Sequence, residues 1–194
     1  MIGHSYGGSI VALCALRHPE LVRSLVLIEP YLPGIIVDVE SIIDSLSLLI
    51  RKPLLALSGI KSRNNIKTTQ QKVSRKNLEK ALDTYYPNTW EGRKLKVQLS
   101  ASTRAMMLDN METFRELLTG VPTFNKENAK RIVPPTLILS GKQTIKFMGG
   151  VAMGLHKTIP NNQLAIIQNA SYPHIENPEE CNAEILAFFS EHAP

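Results

Sequence analysis

The stretch Gly3-His4-Ser5-Tyr6-Gly7-Gly8 decides the fold of this chain, because it joins a tight turn to a serine and to the start of a helix. It fits the pattern G-x-S-x-G, in which a strand ends, a serine occupies a strained turn and a helix begins at once. We therefore predict that Ser5 is a nucleophile and that the backbone N–H of Tyr6 donates to an oxyanion. A glycine turn with an incidental serine is the alternative interpretation.

The residues around this serine suit a helix that packs closely on a sheet. Gly3 and Gly7 are expected where the turn leaves no room for a Cβ against the neighbouring strand and helix. The small and apolar residues that follow predict a helix over residues 7–18.

Three short apolar runs predict further strands, and each is adjacent to a helical pattern. Continuous rather than alternating hydrophobicity indicates strands buried on both faces, as in a parallel sheet covered by helices. Two more helices are expected over residues 150–158 and from Pro178 to Phe189. Strands that alternate with helices indicate an α/β fold with a parallel sheet. The predicted strands are residues 24–28 (SLVLI), 136–140 (TLILS) and 164–168 (LAIIQ).

A long segment without a convincing strand pattern interrupts this alternation. It holds apolar helical stretches and a stripe of apolar residues at helical spacing within residues 106–118, which we interpret as core packing. We predict an α/β core formed by residues 1–30 and 135–194, with residues 31–134 inserted as a helical lid.

The charge of the chain is unevenly distributed. The whole sequence of 194 residues carries a formal net charge of +5, whereas residues 51–96 hold 12 Lys or Arg against three acidic residues, a local balance of +9. Such a block could attract a polyanion, but few aromatic residues are interleaved with it, as a base-stacking surface would require. We expect a solvated helical face and no nucleic-acid partner.

The cysteines, histidines and apolar runs limit the other classes of protein. Cys14 and Cys181 cannot form a disulfide scaffold, so a reducing, cytoplasmic location is the expectation. No apolar run reaches the roughly 18 residues of a membrane span. The five His and two Cys show no ligand spacing, and we predict neither a metal nor a cofactor.

Four segments taken together resemble the α/β-hydrolase superfamily, in particular its esterase, epoxide-hydrolase and carbon–carbon-hydrolase-like branch. The resemblance implies the C-terminal part of that fold, a Ser-His-acid triad at the C-terminal edge of the sheet and a small substrate held beneath the lid. The segments are GHSYGG (3–8), ALRHPELVRSLVLIEP (15–30), PPTLILSG (134–141) and NASYPHIENPEE (169–180).

The resemblance allows two positions for the acid. The later one, residues 141–144, reads Gly-Lys-Gln-Thr and offers no carboxylate, whereas the earlier one places Glu29 at the end of a predicted strand. Glu29 is therefore the predicted acid, with an ordinary strand-end carboxylate as the alternative. Asp109, at the edge of the lid, is the fallback.

The base is at an unusual position. Aligned without a gap on the family pattern, the expected catalytic histidine falls on Ser171; equally, residues 169–173 resemble a family string with one histidine missing between Ser171 and Tyr172. Either way, the usual base is absent. His174 lies three residues further and is the histidine of that loop; a shift of the loop would bring it within hydrogen-bond reach of Ser5. The alternative is a histidine at the rim of the site. The remaining histidines are His4, whose side chain should point away from that of Ser5, and three expected at helix ends or on the surface, His18, His156 and His192.

The motif begins very early in the chain. Only Met1-Ile2 precede Gly3, which is shorter than a strand of about three residues, so we expect an N-terminally truncated sheet with an open edge. The resemblance places the second oxyanion donor before this point. We expect a serine hydrolase acting weakly, or not at all, on an ester-like or other small apolar substrate. The alternatives are an inactive hydrolase-derived binding module, and one half of a split hydrolase that needs a partner chain.

Overall fold

A computed structural model describes residues 1–36, 101–110, 113 and 123–192 of the chain. The chain divides into two compact units, one formed by Met1–Ala56 with Pro122–Pro194 and the other by Leu57–Val121. In the second unit, the helix α2 spans Ala101–Asp109. Most of the predicted lid, including the basic residues 51–96, lies outside the described residues, and the helical lid stays a prediction.

The first unit is built on a parallel four-stranded sheet in the order β1-β2-β3-β4. The register aligns His4 with Ile28, Ile28 with Leu139 and Leu139 with Ala165. The C-terminal ends of all four strands therefore meet at one edge, where the residues that follow them can form a site. The strands are β1 Ile2–His4, β2 Leu25–Ile28, β3 Thr136–Gly141 and β4 Asn162–Ile167.

The parallel sheet and the α/β fold are confirmed, and one detail of the strand prediction is wrong. We expected too little chain before the turn for a strand, whereas β1 pairs with β2 because Gly3 and His4 belong to the strand and the turn begins only at Ser5. Three residues are the minimum for a strand.

Small residues explain how closely the helices pack, and capping residues explain where they begin. In α1, Gly8, Ala12 and Ala15 form a buried stripe that allows close approach to the sheet. Asn177 caps α6 by accepting a hydrogen bond from the Glu180 N–H. The helices of the first unit are α1 Tyr6–Arg17, α3 Lys126–Lys130, α4 Lys146–Thr158, α5 Pro173–Glu176 and α6 Pro178–Glu191.

Two apolar clusters cover the two faces of the sheet. Alternate residues of a strand point to opposite faces. Leu27 and Ile138 accordingly pack with residues of α1 and α4, whereas Val26 and Leu139 pack with residues of α6. Burial on both faces explains the continuous apolar runs of β2 and β3, whereas β4 is only partly buried. None of the helices within residues 1–36, 101–110 and 123–192 combines the length and apolarity needed to cross a membrane.

Candidate active site

Ser5 occupies a strained turn between β1 and α1. Its backbone φ of 51° lies in the left-handed region that non-glycine residues rarely adopt. Two backbone hydrogen bonds hold this geometry: the Ser5 N–H donates to the Ile28 carbonyl and the Tyr31 N–H donates to the Ser5 carbonyl, both at 3.0 Å. The turn is therefore fixed against the end of β2, as a nucleophile elbow requires.

The glycines of the elbow have different roles. A Cβ on Gly3 would lie 2.5 Å from the Gly7 carbonyl oxygen, so the prediction for Gly3 is confirmed. The prediction for Gly7 is wrong, because a Cβ there would meet no atom within 4 Å. The second glycine that the packing requires is Gly8, where a Cβ would lie 2.8 Å from the Cβ of Pro30.

The Ser5 side chain lies partly buried at the N-terminus of α1. Its Oγ atom takes part in no hydrogen bond among the residues that the structure describes. Tyr6 is the first residue of α1, so its N–H points out of the helix terminus, where the helix dipole favours negative charge. This geometry suits an oxyanion beside Ser5, and the role of Tyr6 as a donor stays a prediction.

Glu29 lies at the predicted edge, directly after β2, and is 4% exposed. Its Oε1 atom accepts hydrogen bonds from Ser140 Oγ and from the Gly141 N–H, both at 2.8 Å. Its Oε2 atom accepts one from Thr144 Oγ1 at 2.6 Å. The carboxylate is thus bound to the end of β3 and to the turn that follows it.

His174 lies on α5 and contacts His4, the residue before Ser5. Its ring centroid is 4.1 Å from that of His4, with an angle of 50° between the ring planes. Tyr172 adds ring contacts to both imidazoles. The structure therefore brings His174 to the elbow, yet within the described residues no hydrogen bond joins it to Ser5 or to Glu29.

Burial favours the uncharged form of both imidazoles. It lowers the pKa of His174, whose Nδ1 atom is buried without a hydrogen-bond partner in the described part of the chain. Burial, and secondarily the charge of His174, lowers the pKa of His4 to about 4. A neutral imidazole can accept a proton, but a lowered pKa makes it a weaker base.

The other candidate residues from the sequence have the following surroundings. Ser171 is 1% exposed, and its Oγ donates a hydrogen bond to the Gln143 carbonyl at 2.7 Å. Asp109 ends α2 in the second unit. The three remaining histidines lie at or near helix ends, as predicted: His18 after α1, His156 in the last turn of α4 and His192 after α6.

Sequence reasoning missed the part that His4 plays in this site. The expectation that its side chain points away from Ser5 gave no reason to pair it with a histidine 170 positions later in the chain. No sequence signal marks this pair, because it depends on how the loop after β4 is placed.

Within the described residues, no three His, Cys, Asp or Glu side chains form a group that could hold a metal ion.

The chain is similar to several proteins of known structure. It aligns over its whole length with MenH from S. aureus, at 19% identity, with a TM-score of 0.69 and 68% of that chain covered. It aligns over 98% of its length with the carboxylesterase CesB from Bacillus subtilis, at 20% identity, a TM-score of 0.61 and 59% of that chain covered. A hydrolase from a Medee basin deep-sea metagenome, MGS-M2, gives 18% identity and a TM-score of 0.59, with 97% of this chain and 64% of that one covered.

These similarities establish the fold, and a family model establishes the membership. The chain spans between 59% and 68% of the length of these three structures. No curated protein sequence matches it significantly. The family model described as "alpha/beta hydrolase fold" matches residues 1–178, and the chain therefore belongs to the α/β-hydrolase fold family.

Proposed function

We propose that this protein is a serine-type hydrolase that cleaves ester-like or other small apolar substrates through Ser5. The observation that carries the proposal is the strained backbone of Ser5, with a φ of 51° at the start of α1. Strain of this kind concentrates at functional sites, where the surrounding structure maintains it. The description of CesB as a carboxylesterase makes esters the first substrates to test.

The proposed reaction gives four groups at the sheet edge separate roles. Ser5 Oγ attacks the ester carbonyl while His174 accepts its proton, and the Tyr6 N–H stabilises the oxyanion. His174 then returns the proton to the departing alcohol, and water hydrolyses the acyl-enzyme by the same route. Glu29 is the proposed acid, whose role is to orient His174 once the loop has shifted, since its carboxylate is now hydrogen-bonded to Ser140 and Thr144.

The same geometry leads us to expect slow turnover. His174 has no hydrogen bond to Ser5 or Glu29 among the described residues, and burial lowers its pKa. A base must come within about 2.6–3.2 Å of the proton that it removes, so the α5 loop has to shift before each attack.

A fluorophosphonate probe and p-nitrophenyl acetate test the proposal together. We expect covalent labelling of the unaltered protein and slow ester cleavage, both lost in Ser5→Ala. The matched control is Ser190→Ala, an exposed serine on α6, which should leave both unchanged. Labelling that persists in Ser5→Ala would contradict the assignment of the nucleophile.

A binding module without catalysis is the second candidate function. It is favoured by the separation of the predicted base and acid, since Glu29 is bound to Thr144 and Ser140 rather than to His174. The same probe distinguishes the two candidates: a folded protein that binds an ester analogue in a calorimeter but leaves Ser5 unlabelled is a binding module.

We further propose that β1 mediates association, either with a second copy or with a partner chain that supplies more strands. β1 is the outer strand of the described sheet, and Ile2 on it is 51% exposed. Exposed edge strands pair readily with other chains. Light scattering should show a dimer or larger species that Ile2→Lys dissociates, whereas Ile10→Lys, on a similarly exposed residue of α1, should not. A monomer at all concentrations, and no co-purifying chain, would contradict this.

The proposed compartment is the cytoplasm. Cys14 and Cys181 are free thiols, which a reducing environment preserves. Fractionation of cells that express a tagged form tests this.

A further inference from the structure

The loop that carries His174 is fastened at its start to the turn after β3. Asn169 adopts a φ of 53°, which reverses the chain beyond β4. The Gln143 N–H then donates to the Ala170 carbonyl at 2.8 Å, and Ser171 Oγ donates to the Gln143 carbonyl at 2.7 Å. These bonds fix residues 170 and 171 but leave the following residues to be held by other means.

Glu176 forms the second set of hydrogen bonds that holds this loop. Its Oε2 atom accepts hydrogen bonds from the N–H groups of both Ser171 and Tyr172, the latter at 3.1 Å. The Glu176 N–H donates in turn to the Tyr172 carbonyl at 2.8 Å. The side chain and backbone of Glu176 are therefore both hydrogen-bonded to the start of the loop, at Ser171 and Tyr172. His174 lies between Tyr172 and Glu176 in this hydrogen-bonded segment.

The short helix α5 depends on these hydrogen bonds of Glu176. Four residues are far below the length at which a helix is stable by itself. Tyr172 provides no side-chain cap at the N-terminus of α5, and Pro173 removes one donor. Hydrogen bonds from amides to a charged carboxylate are among the stronger ones in proteins, so the Glu176 carboxylate is well suited to organise the loop.

We infer that Glu176 is a positioning residue that holds the His174 ring against His4 beside the nucleophile. The imidazole of His174 has ring contacts with His4 and Tyr172 but no hydrogen bond in the described part of the chain. Its place is therefore set by the backbone that carries it. Any role of this position in accepting the Ser5 proton rests on the proposed function, whereas the position of the His174 imidazole does not.

The pKa of His4 measures this position without any substrate. NMR titration of the histidine Cε1–H signals should give a pKa of about 4 for His4 in the unaltered protein, against an ordinary 6.5. In Glu176→Ala the loop is released, His4 gains water and loses its neighbour, and we expect its pKa to rise by about one unit or more. Glu176→Gln keeps an oxygen that can accept both N–H groups and should keep the low pKa of His4. Glu179→Ala, an exposed residue of α6, is the matched control.

Several outcomes would overturn the inference. An unchanged pKa of His4 in a folded Glu176→Ala protein, or an equal rise in Glu176→Gln, would each contradict the role of the side-chain oxygen. If Glu176→Ala does not fold, hydrogen exchange of the unaltered protein decides: the Ser171 and Tyr172 amides should exchange at least about tenfold more slowly than in an unstructured peptide. Exchange at the unstructured rate would refute the fastening. These readouts do not involve Ser5 reactivity, so the inference and the proposed function can fail separately.

Discussion

Thr144 donates a hydrogen bond to Glu29 at 2.6 Å and so joins the residue after β2 to the turn after β3. Ser140 and Gly141 donate to the other carboxylate oxygen. A buried charge is costly unless it is hydrogen-bonded, and three donors from one neighbouring segment meet that requirement here. The Glu29 carboxylate thus holds together the two strands that form the centre of the sheet.

Removing the Glu29 side chain should therefore destabilise the protein. Glu29→Ala leaves three donors without their acceptor, and we expect it to lower the free energy of unfolding by about 3 kcal/mol. Glu29→Gln retains the shape and one oxygen acceptor, and should lose about half as much. Urea unfolding measures both. The control is Glu127→Ala, which breaks only an exposed ion pair with Lys130 and should cause no measurable loss. Equal stability of Glu29→Ala and the control would contradict the role of the carboxylate.

We predict opposite changes in stability when alanine replaces either of the two consecutive glycines of the elbow, Gly7 and Gly8. Gly8→Ala places a Cβ 2.8 Å from the Cβ of Pro30 and should cost about 1–3 kcal/mol of stability. Gly7→Ala has open space and a helical residue without positive φ, so it should stabilise by roughly 0.5–1 kcal/mol. Thermal unfolding distinguishes the two variants, each acting as the control of the other. Destabilisation of similar size in both would show that the elbow, rather than the packing against Pro30, requires glycine.

The centre of the fold could be predicted from the sequence, because β2 and β3 are buried on both faces. The runs at residues 24–28 and 136–140 are apolar without interruption, and their observed counterparts Leu25–Ile28 and Thr136–Gly141 differ by one residue at one end. The elbow could also be predicted, because the pattern G-x-S-x-G marks it in the sequence. In the structure, Ser5 at this strand–helix junction has a positive φ, and Gly3 has no space for a side chain.

The contacts of the site could not be predicted, because they join residues that are distant in the sequence. Glu29 and Ser140 are separated by 111 positions. The sequence placed Glu29 at the correct edge but contained no information on which donors its carboxylate would reach. Likewise, His4 and His174 meet because the loop after β4 turns back toward the elbow, a path that depends on Asn169 and on the carboxylate of Glu176. Local patterns predict elements, whereas side-chain partners depend on tertiary packing.

The two thiols should differ in reactivity. Burial, and secondarily the charge of Glu180, raises the pKa of Cys181, which is 0% exposed, so little thiolate forms near neutral pH. Cys14 is partly exposed on α1. A chromogenic disulfide reagent at pH 8 should react first with Cys14, and the slow phase should be lost in Cys181→Ala and become fast in urea. A fast reaction of Cys181 in the native protein would contradict its burial on the face of α6 that packs against the sheet.

The His4–His174 pair should make the protein less stable in acid. Because His4 has a pKa of about 4 when folded and an ordinary pKa of 6.5 when unfolded, the unfolded chain binds more protons between these pH values. The free energy of unfolding should thus fall as the pH is lowered from about 6.5 to 4, by about 3 kcal/mol in total from His4. His4→Phe keeps a ring against His174 but cannot be protonated, so most of the slope should disappear, with a remainder from His174, whose pKa is also lowered. Urea unfolding at several pH values measures the slope, with His156→Gln, an exposed histidine on α4, as the matched control. An equal loss of slope in that control would contradict the assignment to the pair, because only His4 and His174 combine burial with mutual contact at the elbow.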